Sequence, residues 1–163
     1  MNTVVIREIR QNEIPKLEDM LYEAIYQPDE SDLIPRSVLQ IPEINIYIKD
    51  FGTLKDDYGL VADLDEEIIG AVWIRILSGK IKGYGNIDGE TPEFAISLFK
   101  EYRNRGIGTL LMTHMIDYLR KKGYKKASLN VKKANYAVKL YQKVGFEIMD
   151  ENEEDLLMVL KLD

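Results

Sequence analysis

The segment from residue 92 to Gly123 constrains the fold most. Residues 92–99 form an apolar run typical of a strand, and apolar residues recur with helical spacing across residues 106–122. Gly123 follows the last helical residue, where glycine commonly ends a helix. The sequence therefore predicts a strand that passes through a glycine-containing turn into a long amphipathic helix.

The remaining sequence contains shorter runs of the same two kinds. Alternating or continuous apolar residues predict further strands, and apolar residues three and four apart predict further helices. We predict strands at residues 4–9, 58–64, 68–77, 92–99, 127–131, 146–149 and 156–162, and helices at residues 11–26, 44–51, 106–122 and 136–144. The order β α α β β β α β α β β predicts one α+β domain with helices on both faces of a sheet.

Composition excludes several kinds of chemistry. The chain has no cysteine, so disulfides, thiolate metal ligands and a cysteine nucleophile are ruled out, and its single histidine gives no support to a metal cluster. We predict no metal site. No apolar run approaches the roughly 20 residues of a membrane span, and the N-terminal residues lack the order of a secretion signal. We therefore expect a cytoplasmic protein with no membrane partner.

Charge is distributed unevenly along the chain. The net charge is −6, yet residues 100–144 contain twelve Lys or Arg and only two Asp or Glu, a local net charge of +10. The basic segment favours an anionic ligand and the acidic remainder favours a cationic one, although most individual lysines are also explained as solvated helix ends. We expect no nucleic-acid partner, because the sequence lacks an aromatic and basic surface motif or a recognition helix.

The turn before the long helix reads Arg103-Asn104-Arg105-Gly106-Ile107-Gly108. Backbone N–H groups at a helix start, together with the positive end of the helix dipole, stabilise an anion. A dinucleotide fingerprint would need a third glycine where Leu111 stands, and a P-loop would need Gly-Lys-Ser/Thr where Gly108 precedes Thr109. Glycine at a tight turn also has a purely conformational explanation, and the turn alone leaves both open.

Two blocks of sequence extend this signal. The first is Leu98-x-x-Glu101-Tyr102-Arg103-x-x-Gly106-x-Gly108, and the second is Leu129-x-Val131-x-x-x-Asn135-x-Ala137 followed by Leu140-Tyr141-x-Lys143-x-Gly145-Phe146. Together they resemble the signature motifs of the GNAT superfamily of N-acetyltransferases. The resemblance implies one GNAT-like acyl-CoA N-acyltransferase domain over residues 1–163, with a central, mixed, mostly antiparallel sheet flanked by helices.

The resemblance also implies how acetyl-CoA binds. Residues of the turn would hold its pyrophosphate through backbone N–H groups; they are Arg103, Asn104, Arg105, Gly106, Ile107, Gly108 and Thr109. The strand that ends at Leu98 and Phe99 would diverge from residues 129–131 and open a slot for the pantetheine. The N–H group of Leu98 or Phe99 would polarise the thioester carbonyl. Asn130 and Asn135 would contact the cofactor.

Acetyl transfer by direct attack of a primary amine requires a base and an acid. Glu93 is the candidate base, although its register differs by about one residue from the family's, and strand alternation leaves its face undecided. Asn130 stands where some relatives have a glutamate base, and an amide cannot take that role. Tyr141 occupies the position of the family's general acid, the alternative being a core tyrosine.

The acceptor side is specified less clearly. By family analogy an acidic and aromatic wall would face the slot, formed by Tyr22, Tyr26, the loop 27–35 with Asp29, Glu30 and Asp32, and by Trp73 and Tyr84. Such a wall suits a cationic amine, whether a small molecule, a polyamine or a peptide terminus. A non-catalytic acyl-CoA-binding regulatory module is the alternative function. A homodimer is one assembly compatible with the sequence.

Overall fold

The computed structural model describes residues 3–163 and is built on a seven-stranded sheet. The strands are β1 (Val4–Glu8), β2 (Tyr58–Leu64), β3 (Glu67–Arg75), β4 (Glu93–Leu98), β5 (Lys126–Lys132), β6 (Glu147–Glu151) and β7 (Asp155–Lys161). The helices are α1 (Leu17–Ala24), α2 (Pro42–Asn45), α3 (Ile107–Lys122) and α4 (Val138–Lys143). The predicted order of elements is confirmed.

The strands lie in the order β1-β2-β3-β4-β5-β7-β6. Only β4 and β5 are parallel, and every other neighbouring pair is antiparallel. The predicted α+β fold with a mixed, mostly antiparallel sheet is therefore confirmed. Among residues 3–163, no helix is long and apolar enough to cross a membrane.

Each face of the sheet is covered by its own hydrophobic core. On one face α3 buries Leu111, Met112, Met115 and Leu119 completely, and α4 adds Tyr141. On the other face α1 packs its apolar side against β2 and β3, together with short helical turns around Leu39 and Phe51. A fully buried aliphatic side chain stabilises the fold by about 1.5–3 kcal/mol, so the two cores hold the helices firmly to the sheet.

The helix predicted at residues 44–51 is shorter than its apolar spacing indicates. α2 covers only Pro42–Asn45, and the chain continues to Phe51 in successive turns. Backbone bonds from Tyr47 to Ile44 and from Phe51 to Ile48 span three residues. Tight turns of this kind place residues three apart on the same side, so Phe51 is still buried without a regular α-helix.

The parallel pair β4 and β5 separates almost as soon as it forms. The two strands are paired at one position, Glu93 with Ser128, where the Ser128 N–H donates to the Pro92 carbonyl at 3.0 Å. By contrast, every residue of β4, from Glu93 to Leu98, is paired with a residue of β3. The sheet therefore opens between β4 and β5 towards their carboxyl ends, as the resemblance to the GNAT superfamily implies.

Candidate active site

A cleft of about 1190 Å³ lies at the carboxyl end of β4, on the side where β4 has separated from β5. One wall consists of the end of β4, the turn before α3, the start of α3 and residues 134–141, and the other consists of the end of α1 and the loop after it. Eight of the predicted site residues line the cleft: Leu98, Arg103, Asn104, Gly106, Gly108, Thr109, Asn135 and Tyr141. The structure thus brings both sequence blocks to one place.

The turn before α3 presents backbone N–H groups to the cleft. Asn104 and Gly106 have left-handed backbone angles, φ +63° and +81°, which reverse the chain just before the helix. The first helical bond runs from the Leu110 N–H to the Gly106 carbonyl at 3.1 Å, so the three preceding amides lie ahead of it. These amides and the dipole of a 16-residue helix are groups that can stabilise an anion.

Gly108 allows the turn to approach α4. A Cβ atom at this position would lie 3.2 Å from Leu140 Cδ2, which is tighter than ordinary van der Waals contact. The side chains of Arg105 and Ile107, by contrast, do not line the cleft. Arg105 lies over the ring of Tyr102, and Ile107 is buried in the core beneath α3. Their predicted role therefore depends on their backbone groups alone.

Two basic side chains connect the turn to the opposite wall. Arg103 Nε donates to the Leu98 carbonyl at 3.0 Å, and its Nη2 lies 3.6 Å from Glu23 Oε2. Lys100 forms an ion pair with Glu30. Both pairs are substantially exposed, and such pairs contribute only about 0–1 kcal/mol. Lys100 and Arg103 can therefore turn towards a phosphate group at little cost.

The structure separates the two predicted donors for the thioester carbonyl. The Phe99 N–H donates to the Ile69 carbonyl on the β3 side at 3.0 Å. Because amides along a strand point alternately to its two neighbours, the Leu98 N–H is directed towards β5 and the cleft. Leu98 is therefore the better placed of the two, and the Phe99 amide is already engaged in the sheet.

Tyr141 lies on α4 with its side chain in the wall of the cleft. It is 8% exposed, and its ring packs edge-on against Phe146. Burial raises the pKa of Tyr141 to about 12, so its hydroxyl group carries a proton throughout the neutral range. Asn135 stabilises the turn that leads into α4, because its Oδ1 accepts a hydrogen bond from the Ala137 N–H at 2.8 Å.

Glu93 is the first residue of β4 and lies behind the cleft, outside its lining. It is 3% exposed, and its Oε2 accepts bonds from the Tyr47 hydroxyl group and, at 3.0 Å, from the Gly85 N–H. Burial raises the pKa of Glu93 to about 7, although the two hydrogen bonds act in the opposite direction. Ala95 and Ser97 share its face of β4, the face covered by α1.

The opposite wall contains part of the predicted acceptor side. Tyr22, Tyr26 and Glu30 line the cleft, whereas Asp29 and Asp32 lie outside its lining. The expectation of further aromatic walls was wrong. Trp73 is 1% exposed within the core, and Tyr84 is 60% exposed but is not among the residues that line the cleft. A ligand in the cleft cannot reach Trp73, because the tertiary structure buries this side chain.

Several residues of the cleft carry no sequence motif, and Asn130, predicted to contact the cofactor, is among the predicted residues that do not line it. Glu23, Leu33, Ser97 and Tyr136 line the cleft but carry no motif, and only the alternation of β4 marks Ser97. Asn130 is half-buried on β5 and does not line the cleft. Residues 3–163 contain no group of three or more His, Asp or Glu side chains arranged to hold a metal ion.

This fold is the one shared by acyl-CoA N-acyltransferases. The paia N-acetyltransferase of Thermoplasma acidophilum, solved in complex with coenzyme A, superimposes with a TM-score of 0.67 over 98% of this chain and 99% of its own, at 22% identity. A GNAT acetyltransferase of Streptococcus pneumoniae gives a TM-score of 0.70 over 99% of this chain and 100% of its own, at 24% identity.

The chain belongs to the acetyltransferase (GNAT) family, whose model matches residues 19–146. A ribosomal protein bS18-alanine N-acetyltransferase of Haemophilus influenzae is 31% identical over 103 residues, which are 61% of this chain and 65% of that protein. The chain therefore spans less than two thirds of this relative. The probable N-acetyltransferase san of Drosophila melanogaster is 27% identical over 136 residues, 76% of this chain and 70% of its own.

Proposed function

We propose that the protein is an acetyl-CoA-dependent N-acetyltransferase in which a primary amine attacks the thioester directly. The observation that carries this proposal is the separation of β4 from β5, which leaves the end of β4 lining a cleft that also contains the start of α3. An extended arm can pair with the free side of β4 while its phosphates reach the helix start. Coenzyme A has this shape, and it is present in the similar Thermoplasma structure.

The residues of the cleft fit the two ends of such a ligand. Amides of Ile107, Gly108 and Thr109 would bind the pyrophosphate, and Lys100 and Arg103 would add positive charge beside it. The sulfur end would lie near Leu98, where β4 ends. Acetyl-CoA supplies the reactive thioester, and the chain supplies binding groups and proton carriers.

The proposed reaction forms a C–N bond to the acetyl carbon and breaks its C–S bond. The Leu98 N–H would stabilise the negative charge that develops on the carbonyl oxygen. The Tyr141 hydroxyl would give its proton to the departing sulfur and regain, directly or through solvent, the second proton that the attacking nitrogen loses as the amide forms. Glu93 would receive the proton that the ammonium group must lose before attack, and a pKa near 7 suits a base that works at neutral pH.

The acceptor proposed for this site is a cationic amine, and a peptide terminus fits best. Tyr22, Tyr26 and the carboxylates of Glu23 and Glu30 face the cleft from the α1 side. Leu33 and Tyr136 are 55% and 74% exposed at the same cleft, which gives a polypeptide apolar surface to contact. The Haemophilus relative is named for acting on an alanine of a ribosomal protein.

Thiol release from acetyl-CoA across a panel of amines tests the proposal. The panel contains peptides with a free α-amino group, the same peptides with a blocked terminus, a polyamine and small primary amines. We expect acceptor-dependent release with free peptides and none with blocked ones. Coenzyme A binding without release for any amine would refute the proposal and support a non-catalytic acyl-CoA-binding regulatory module. Release with the polyamine alone would refute the peptide assignment.

A further inference from the structure

The edge strand β6 differs from the other strands of the sheet. It pairs with β7 on one side and with no strand among residues 3–163 on the other. All five of its residues are exposed and none belongs to either hydrophobic core, although Phe146, immediately before it, is buried. Its outer backbone N–H and C=O groups are therefore available to a further strand, as at other open sheet edges.

The charge of β6 and of the turn after it has one sign. Residues 147–155 contain six Asp or Glu and no Lys or Arg. Lys132 and Lys133 on β5 form ion pairs with three of these acids. The other three form no ion pair with any of residues 3–163; they are Glu147, Asp150 and Glu153. The edge therefore keeps negative charge that its own surroundings do not balance.

A β-bulge sorts the side chains of β6 by their character. The pairing with β7 passes from Ile148 directly to Asp150, so Met149 is an extra residue in the strand. In a regular strand Glu147 and Asp150 would face opposite sides, but the extra residue places both on one face and Ile148 on the other. Ile148 and Met149 are 49% and 61% exposed. The edge thus offers two acids on one face and apolar side chains beside them.

We propose that the outer edge of β6 binds an extended polypeptide segment in which basic and apolar residues alternate. The added strand bonds to the free backbone groups of β6. Its Lys or Arg side chains lie opposite Glu147 and Asp150, and its apolar side chains lie on the face of Ile148. Both kinds of cross-strand neighbour stabilise strand pairing. This inference goes beyond acetyl transfer and does not depend on it, because no residue of β6 lines the cleft.

Charge favours a basic segment over a second copy of this chain. Two-fold antiparallel pairing of two β6 strands centred on Met149 would place Glu147 of each copy directly opposite Glu151 of the other. Like charges at directly opposite positions destabilise strand pairing. Acids and a bulge also protect an edge against unwanted pairing, but protection alone does not account for exposed Ile148 and Met149 at the middle of the strand. A basic, partly apolar segment satisfies both features of the edge.

A labelled peptide of about ten alternating Arg and Val residues, a usual upper length for a strand, tests the proposal in fluorescence anisotropy. Its N-terminus is blocked and its guanidinium groups stay protonated, so it binds without serving as an acceptor. We expect the unmodified protein to bind this peptide and not the matched peptide with Glu in place of Arg. Methylation of alternate peptide nitrogens removes the N–H groups of one edge, and one of the two possible patterns should abolish binding. Equal affinity for both methylated peptides would overturn strand addition.

Two matched double variants locate the binding site. Glu147→Lys with Asp150→Lys reverses the charge of the edge, and Glu18→Lys with Glu67→Lys makes the same change in net charge at exposed positions on α1 and β3. We expect the first to weaken binding of the Arg–Val peptide by about tenfold or more and the second to leave it nearly unchanged. Equal weakening in both would reveal general electrostatic attraction and overturn the proposal.

Amide hydrogen exchange of the unmodified protein gives a result that needs no variant to fold. The Arg–Val peptide should slow exchange in residues 147–151 and leave β1, the opposite edge of the sheet, unchanged. Unchanged exchange in β6, or equal slowing at both edges, would overturn the proposal. Slowing in β6 that increases with protein concentration in the absence of peptide would assign the edge to a second copy of the chain and overturn it as well.

Discussion

Replacing Glu93 with glutamine should make the protein more stable at alkaline pH while removing its proposed base. The substitution keeps the size of the side chain and an oxygen that can accept bonds from Tyr47 and Gly85. It removes only the ability to carry a negative charge in a site that is 3% exposed. The comparison therefore isolates the free-energy cost of ionising a buried carboxyl group.

The magnitude follows from the pKa of Glu93, which burial raises from an ordinary value of 4.5 to about 7. Because the folded-state pKa is the higher one, the stability gained from protonated Glu93 is complete below 4.5 and is lost as the pH rises through 7. Between about pH 5 and about pH 8 this loss amounts to about 2–3 kcal/mol in the free energy of unfolding. For a domain of this size it corresponds to about 5–10 °C in Tm.

Thermal or urea unfolding of both proteins at these two pH values measures the effect. Burying the NH2 group that replaces Oε1 also lowers the free energy of unfolding. This decrease is the same at both pH values, so it cancels when the pH-dependent changes of the two proteins are subtracted. We expect the Tm of Glu93→Gln to increase relative to that of the unmodified protein as the pH rises. Glu67→Gln, at an exposed position on β3, is the matched control and should show no such trend. Equal pH trends for Glu93→Gln and the unmodified protein would refute the reasoning.

Three further predictions concern other parts of the structure. Tyr141→Phe should lower kcat by about 10²-fold with unchanged coenzyme A affinity in calorimetry, and unchanged turnover would exclude it as the acid. Gly108→Val should weaken coenzyme A binding at least tenfold (~1.4 kcal/mol), because the new side chain crowds Leu140 at the helix start; intact affinity would count against the turn. Arg75→Met should reduce the free energy of unfolding by about 3–5 kcal/mol in urea titrations, since it leaves the buried Asp57 carboxylate unpaired, and a loss below about 1 kcal/mol would contradict this.

Much of the fold follows from local patterns in the sequence. The β2–β3 hairpin and α3 were predicted within two residues of their observed ends, because alternation, helical spacing and a terminal glycine are local signals. The stretch 44–51 was not, because its apolar spacing fits tight successive turns as well as an α-helix. The periodicity of apolar residues therefore predicts which residues face the core more reliably than it predicts the backbone conformation, whether α-helix or successive turns.

The candidate site was less accessible to sequence reasoning wherever it depended on the tertiary structure. The anion-binding role of the turn before α3 could be predicted, since its backbone N–H groups are present whatever the side chains are. The face on which Glu93 lies and the amide that reaches the cleft both depend on the register of β4 against β3. Trp73 was misplaced for the same reason, because a strand buried on both faces gives no sign of which side leads to a ligand.

The early separation of β4 and β5 also affects how the protein behaves without its ligand. An open sheet that is paired throughout has two edge strands, whereas this sheet has two further ones, since β4 and β5 each present unpaired backbone groups in its interior. Unpaired strand edges are templates for strand addition by other chains. A pantetheine arm lying between them would cover both. Coenzyme A is then expected to protect the protein against aggregation as well as to take part in its chemistry.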